Sequence, residues 1–249
     1  RLKTTSLRLA ADPGGYPDVA AVDSAITRIR LLRGFDMTFE AQLENDRLFR
    51  DAPASRDLLL ATAAAFAGTD QASRAITLGR RALAAYGASP GIYRLMYPVA
   101  VRDTIVAESR RAGVDPALVA ALIRQESSFN PRATSVPGAR GLMQVMPDVG
   151  RSIAPSAGIT SWNANMLYDP GINVELGVRH LEPLMRRQPN VERVLAAYNA
   201  GESRVTRWAR RPGADDPEMF TERIPFPETQ DYVKSVLRNR EFYRALYAW

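Results

Sequence analysis

The chain has 249 residues, 46% hydrophobic and 24% charged, which excludes a disordered chain and leaves room for one large or two small packed domains. Its net charge of +6 attracts polyanions by long-range field without choosing among them. No stretch approaches the roughly 18 apolar residues of a membrane helix, and the absence of cysteine rules out disulfides and thiolate metal sites. The chain opens on Arg1 with no basic, apolar leader behind it, so it reads as a mature or trimmed chain without an export signal.

Helical spacing runs through nearly the whole sequence, and no alternating strand of useful length stands out. Val22, Ile26, Ile29 and Arg33 define a first helix over 20–33. Thr38 caps a second, with Phe39, Leu43 and Leu48 as its stripe. Ser55 opens a third through Leu58, Leu59, Thr62 and Phe66, and Gly68 and Asp70 turn the chain. A fourth runs from Gln71 to Tyr86, with Ile76 and Leu83. Short helices joined by short Gly and Pro turns predict antiparallel pairs stacked as a small superhelix. The turn cluster from Tyr86 to Gly91 predicts a domain boundary, dividing 1–90 from 91–249.

In the second half, Asp115-Pro116 and Asp169-Pro170 each read as an N-cap followed by a first-turn proline. They open helices ending near Ser128 and Arg187. Asn190 caps another through Tyr198, which Asn199-Ala200-Gly201 ends. Pro225 and Pro227 lead into a last helix over 228–247, with Tyr232, Val233, Val236, Arg240 and Tyr243 as its stripe. The expected fold is all-α.

One residue breaks the pattern. Val119, Leu122 and Ile123 form an apolar stripe, and its next position is Glu126. Burying an ionised carboxylate is costly unless it is paired. Either an arginine, Arg124 or Arg140, neutralises it, or its pKa rises and it keeps the proton, as a general acid does. Periodicity leaves both open.

Four blocks stand around and beyond this residue. They are Ile123-Arg-Gln-Glu-Ser-Ser-Phe-Asn-Pro131 with Ala133-Thr134-Ser135, Gly138-Ala-Arg-Gly-Leu-Met-Gln-Val-Met-Pro147, Ala197-Tyr-Asn-Ala-Gly201 and Ile224-Pro-Phe-Pro-Glu-Thr-Gln-Asp-Tyr-Val233. In this order and spacing they resemble the soluble lytic transglycosylase catalytic domain, of lysozyme-like fold, over about 97–247. The helical first half is similar to the linker region preceding that domain in the large soluble members. The resemblance implies cleavage of peptidoglycan between N-acetylmuramic acid and N-acetylglucosamine. The muramyl C6 hydroxyl attacks its own anomeric carbon and leaves a 1,6-anhydro end, with no metal or cofactor. It also implies a periplasmic or cell-envelope location, with peripheral association at the envelope.

The resemblance makes Glu126 acid and then base. It makes Tyr198 the tyrosine that orients Glu126, where the plain alternative is a core tyrosine bonded to a backbone carbonyl. Ser135 and Gln144 match positions facing the muramyl residue, and Met146 one on the cleft wall, while Met143 reads as core. Gly141 would allow a close approach or a sharp turn at a helix start. Asn199 either shapes the cleft or touches substrate. Glu228, at a helix N-terminus where the dipole favours negative charge, either stabilises a cationic intermediate or merely caps. Tyr232, one turn on, lines the cleft or packs. His180, the only histidine, lacks a metal-partner pattern and reads as structural.

Two rivals remain: a goose-type lysozyme-like muramidase that uses water, and a non-catalytic glycan-binding scaffold. A nucleic-acid partner is not expected, because no recognised motif accompanies the charge.

Overall fold

A computed structural model describes residues 15–249, which fold as two compact units divided between Ala100 and Val101. Among the described residues the structure is helical, with isolated bridges at Thr134–Arg140 and Arg140–Val145 in place of strands. The all-α expectation holds.

The first unit comprises α1 (Ala20–Gly34), α2 (Thr38–Asp51), α3 (Arg56–Ala67), α4 (Ala72–Tyr86) and α5 (Pro90–Met96). Sequence neighbours pack as pairs, α1 on α2, α3 on α4 and α4 on α5. Ser55 caps α3 by accepting from the Leu58 amide. Val22, Leu48, Leu59, Phe66, Leu78 and Leu95 are among the residues of the shared core. On α2 the expected stripe is corrected: Phe39 and Leu43 are 70% and 52% exposed, while Ala41, Asn45 and Leu48 are buried. Both sets obey helical spacing. The buried face carries the small Ala41 and an asparagine whose amide is satisfied locally by the Ala41 carbonyl. On α1, Val22 and Ile29 are buried and Arg33 instead reaches Asp70 across the surface. The turn cluster at 86–91 joins α4 to α5 inside this unit, because α5 packs back on α4, and the division along the chain falls between Ala100 and Val101.

The second unit holds α6 (Arg102–Ala112), α7 (Pro116–Ser127), α8 (Pro147–Ile153), α9 (Pro170–Arg187), α10 (Val191–Ala200), α11 (Glu202–Trp208), α12 (Pro217–Glu222) and α13 (Pro227–Leu246). The cap signals act as read: Asp115, Asp169 and Asn190 each accept an amide of the first turn they open. Helix α7 is the centre. Ala117 through Arg124 are all buried, the signature of a helix packed on every side, and α13 and α6 lie against it. Helix α10 packs on α13, α9, α11 and α12. On α13 the buried face is Thr229, Tyr232, Val233, Val236, Asn239, Tyr243 and Leu246; Asn239 takes the place expected for Arg240, which turns to Glu241. No helix of the described residues is long and apolar enough to cross a membrane.

Candidate active site

Helix α7 loses its cover in its last turn. Arg124 is buried, Gln125 is exposed, and Glu126 sits between the two states. The helix then stops abruptly: Ser128 and Phe129 both take left-handed φ angles, 51° and 61°. Such angles strain L-residues and gather at functional sites. Phe129 is held there by burial, its ring 6.5 Å from that of Tyr243. Glu126 is thus projected from a rigid buried helix into a cleft of about 410 Å³, lined by Gln125, Glu126, Ser135, Gln144, Asn199, Glu228, Asp231 and Tyr232.

Burial pushes the Glu126 carboxyl from 4.5 up to about 7, against the pull of a hydrogen bond from Tyr232 that favours the anion. The Tyr232 hydroxyl donates to Glu126 Oε1 at 2.6 Å. Tyr232 is 5% exposed, and its own pKa is driven well above 10, first by burial and then by the facing carboxylate. Of the arginines weighed as partners, Arg140 is engaged elsewhere: it donates to Asn165 Oδ1 and stacks over Tyr168.

The orienting tyrosine is therefore corrected. The Tyr198 hydroxyl donates to the Met143 carbonyl at 2.8 Å, the plain alternative raised by the sequence. Its distance in sequence from Glu126 gave no geometry. Tyr232, read as cleft-lining or packing, holds the acid because α13 lies directly on α7. Tyr198 has its pKa raised by burial and, after it, by the Glu126 charge. It also packs against the His180 ring at 5.3 Å, and burial lowers the His180 pKa below 6.5.

The 138–146 loop contributes Gln144 to the cleft lining. Gly141 turns at φ 76°, and a Cβ there would lie 2.1 Å from the Leu167 carbonyl oxygen, so only glycine fits. No helix begins at Gly141, contrary to expectation; 141–144 are turns and α8 starts at Pro147. Gln144 is left-handed as well, at φ 49°. Its Nε2 donates to the Gly141 and Ala133 carbonyls, leaving its amide oxygen to meet a ligand. Ser135 Oγ accepts the Ala139 amide and keeps its proton to donate. Asn199 Oδ1 accepts from Thr229 Oγ1 at 2.7 Å, so its NH₂ is the free end. Met146, half-buried ahead of α8, does not line this cleft, and Met143 is core.

Three residues went unread from sequence. Gln125 and Asp231 line the cleft as neighbours of Glu126 and Tyr232, a position inside the quoted blocks that carried the only available signal. Asn173 is fully buried on α9 and makes three backbone bonds, two to the 138–146 loop and one to Leu167. Its Nδ2 donates to the Arg140 and Leu167 carbonyls, and its Oδ1 accepts the Met143 amide, at 2.7–2.8 Å.

A cleft acid poised near neutrality with a tyrosine bonded to it gives the site the parts of general acid–base chemistry. The family profile described as "Transglycosylase SLT domain" matches residues 103–220, so that stretch of the second unit is similar to such a domain. The soluble lytic murein transglycosylase of Salmonella typhimurium is 35% identical over 152 residues, 59% of this chain and 23% of that protein. The 70 kDa soluble lytic transglycosylase of Escherichia coli superposes with a TM-score of 0.74 at 25% identity, covering 96% of this chain and 38% of that one. An inactive glutamate-to-glutamine mutant of the Pseudomonas aeruginosa lytic transglycosylase Slt gives a TM-score of 0.68 at 26% identity, over 94% and 39%. The chain thus spans about a quarter of the length of that Salmonella relative and under two fifths of either structural one.

Proposed function

We propose that the cleft cuts peptidoglycan glycan strands between N-acetylmuramic acid and N-acetylglucosamine and leaves 1,6-anhydromuramyl ends. The observation that carries this reading is Glu126, a cleft carboxyl held at about 7 by burial and bonded by Tyr232. The names of the relatives, murein transglycosylases, supply the polymer.

The chemistry follows from one group used twice. Protonated Glu126 gives its proton to the glycosidic oxygen as the C1–O bond breaks. The substrate's own acetamido oxygen meets the positive anomeric carbon, so a second carboxylate is not obligatory. The Glu126 carboxylate, now charged and stabilised by the Tyr232 hydroxyl, takes the proton of the C6 hydroxyl as that oxygen closes on C1. Protons balance and water is not consumed. Ser135 Oγ–H, the Gln144 amide oxygen and the Asn199 NH₂ would hold sugar hydroxyl and acetamido groups. Exposed Glu228 and Asp231 would lend negative field to the cationic stage. Tyr198 acts through the loop, by fixing the Met143 carbonyl.

The first unit we assign to holding glycan or a partner and not to chemistry, and the site of action to the cell envelope. Mass spectrometry of muropeptides released from purified sacculi tests the reading. Anhydromuropeptides are expected, and mainly reducing-end products would transfer the cleft to the muramidase class.

A further inference from the structure

A glycine in the middle of a helix needs a cause, because alanine there is the more stable choice. Gly177 is such a residue. It lies buried inside the 18-residue α9, one turn on from Asn173. A Cβ at Gly177 would stand 2.4 Å from Met143 Sδ, 2.8 Å from Met143 Cβ and 3.0 Å from Met143 Cε. The glycine is a notch, and Met143 fills it.

Met143 is fully buried, and its backbone is held as closely as its side chain. Its amide donates to Asn173 Oδ1 at 2.7 Å, and its carbonyl accepts from the Tyr198 hydroxyl at 2.8 Å. His180, further along the same face of α9, packs its ring 5.3 Å from that of Tyr198. One residue back, the Leu142 carbonyl accepts from Ser127 Oγ of α7 at 2.8 Å. The next residue is Gln144, left-handed at φ 49° and lining the cleft. Such a conformation persists in a residue other than glycine where its surroundings over-determine it. Here the fixed neighbour is Met143, seated against Gly177.

The thioether end alone cannot absorb a methyl group added at 177. Sδ and Cε can swing aside, but Met143 Cβ moves only with the main chain. Carbon contacts are comfortable at about 3.5–4.0 Å, so the backbone at Met143 must retreat by about 1 Å. Ser127 anchors Leu142 on one side, and the displacement passes to Gln144 on the other. Glu126 takes its hydrogen bond from Tyr232 on α13, outside this path.

We propose that Gly177 is a positioning residue for substrate: by seating Met143 it aims the Gln144 amide oxygen at the glycan in the cleft. This rests on the glycan-cutting reading. The test is a double-mutant cycle between Gly177→Ala and Gln144→Ala in the full chain. Binding of purified glycan strands is read by calorimetry on a Glu126→Gln background, which removes cleavage, and KM and kcat are read with Glu126 in place. Gly177→Ala should weaken binding and raise KM by roughly 10-fold, within the cost of a misplacement of about 1 Å. The alkaline limb of the rate profile should stay where Glu126 sets it. On the Gln144→Ala background the same substitution should add less than about 2-fold, because the group it displaces is already gone. Equal losses on both backgrounds, unaltered binding in a folded Gly177→Ala protein, or a fall in kcat alone each overturn the proposal. Where Gly177→Ala does not fold, Gly177→Ala/Met143→Ala takes its place with Met143→Ala as reference. The Cβ contact then remains without the thioether, and the same non-additivity is expected. Wild-type protein that neither binds nor cuts the strands overturns the glycan-cutting reading and this proposal with it, whereas binding with additive losses overturns the proposal alone.

Discussion

At the scale of single residues, the account rests on a carboxyl moved from 4.5 to about 7 by its surroundings. The sign of that shift fixes two pH dependences. As a general acid Glu126 must be protonated, so kcat/KM should fall as pH rises through about 7. For stability, a raised native pKa means the folded state binds the proton more tightly. The contribution is full below about 4.5 and lost as pH rises through about 7. Glu126→Gln removes that loss. It should stabilise the fold at pH 8 by about 2–3 kcal/mol relative to wild type and hardly at all at pH 4, read by denaturant titration at both. A pH-independent difference would mean that Glu126 does not titrate in this range. Tyr232→Phe deletes the one hydrogen bond that pulls the Glu126 pKa down. The alkaline limb of the rate profile should move to higher pH as turnover drops. An unmoved limb would reduce Tyr232 to packing.

At the scale of elements, the cleft is the meeting of the α7 terminus, the N-terminal turns of α13, the end of α10 and the 138–146 loop. Four helix starts were legible in the sequence because each opens on a signal with local cause: Ser55, Asp115, Asp169 and Asn190 all accept first-turn amides, whereas Thr38, read as a cap, is the first residue of α2 and caps nothing. Glu126 was legible because a carboxylate interrupted an apolar stripe. Pairings across the fold were not. Which tyrosine meets Glu126 depends on α13 lying on α7, and neither helix encodes the other's position. Asn173 was invisible for the same reason, since an asparagine inside a helix carries no mark of three distant backbone partners. Asn173→Ala should strand two carbonyls and an amide at about 1–3 kcal/mol each. A drop of at least about 3 kcal/mol in stability is expected, with activity lost through the loosened 138–146 loop. Tyr198→Phe frees one carbonyl of that loop and should cost about 1 kcal/mol, leaving the pH profile in place, as a stability and rate comparison would reveal.

At the scale of the whole molecule, the proposed division of work follows the two compact units. The groups of the cleft all lie in 101–249, so this unit alone should still release product from sacculi, and complete loss in a fragment shown to be folded would break the division. On the proposed reading, the net charge of +6 would draw the chain toward a polymer bearing carboxylates, and raised salt should weaken sacculus binding more than it slows turnover of bound strands. The central claim is that Glu126 alone moves both protons. The direct measurement is the rate at which Glu126→Gln releases anhydromuropeptides from sacculi, beside wild type at equal bound protein. Gln keeps the shape and cannot exchange the proton, and acid–base assistance is typically worth about 10²–10⁴-fold per step. A fall of at least about 10³-fold with sacculus binding retained is the result predicted, and release at near wild-type rate would contradict the account.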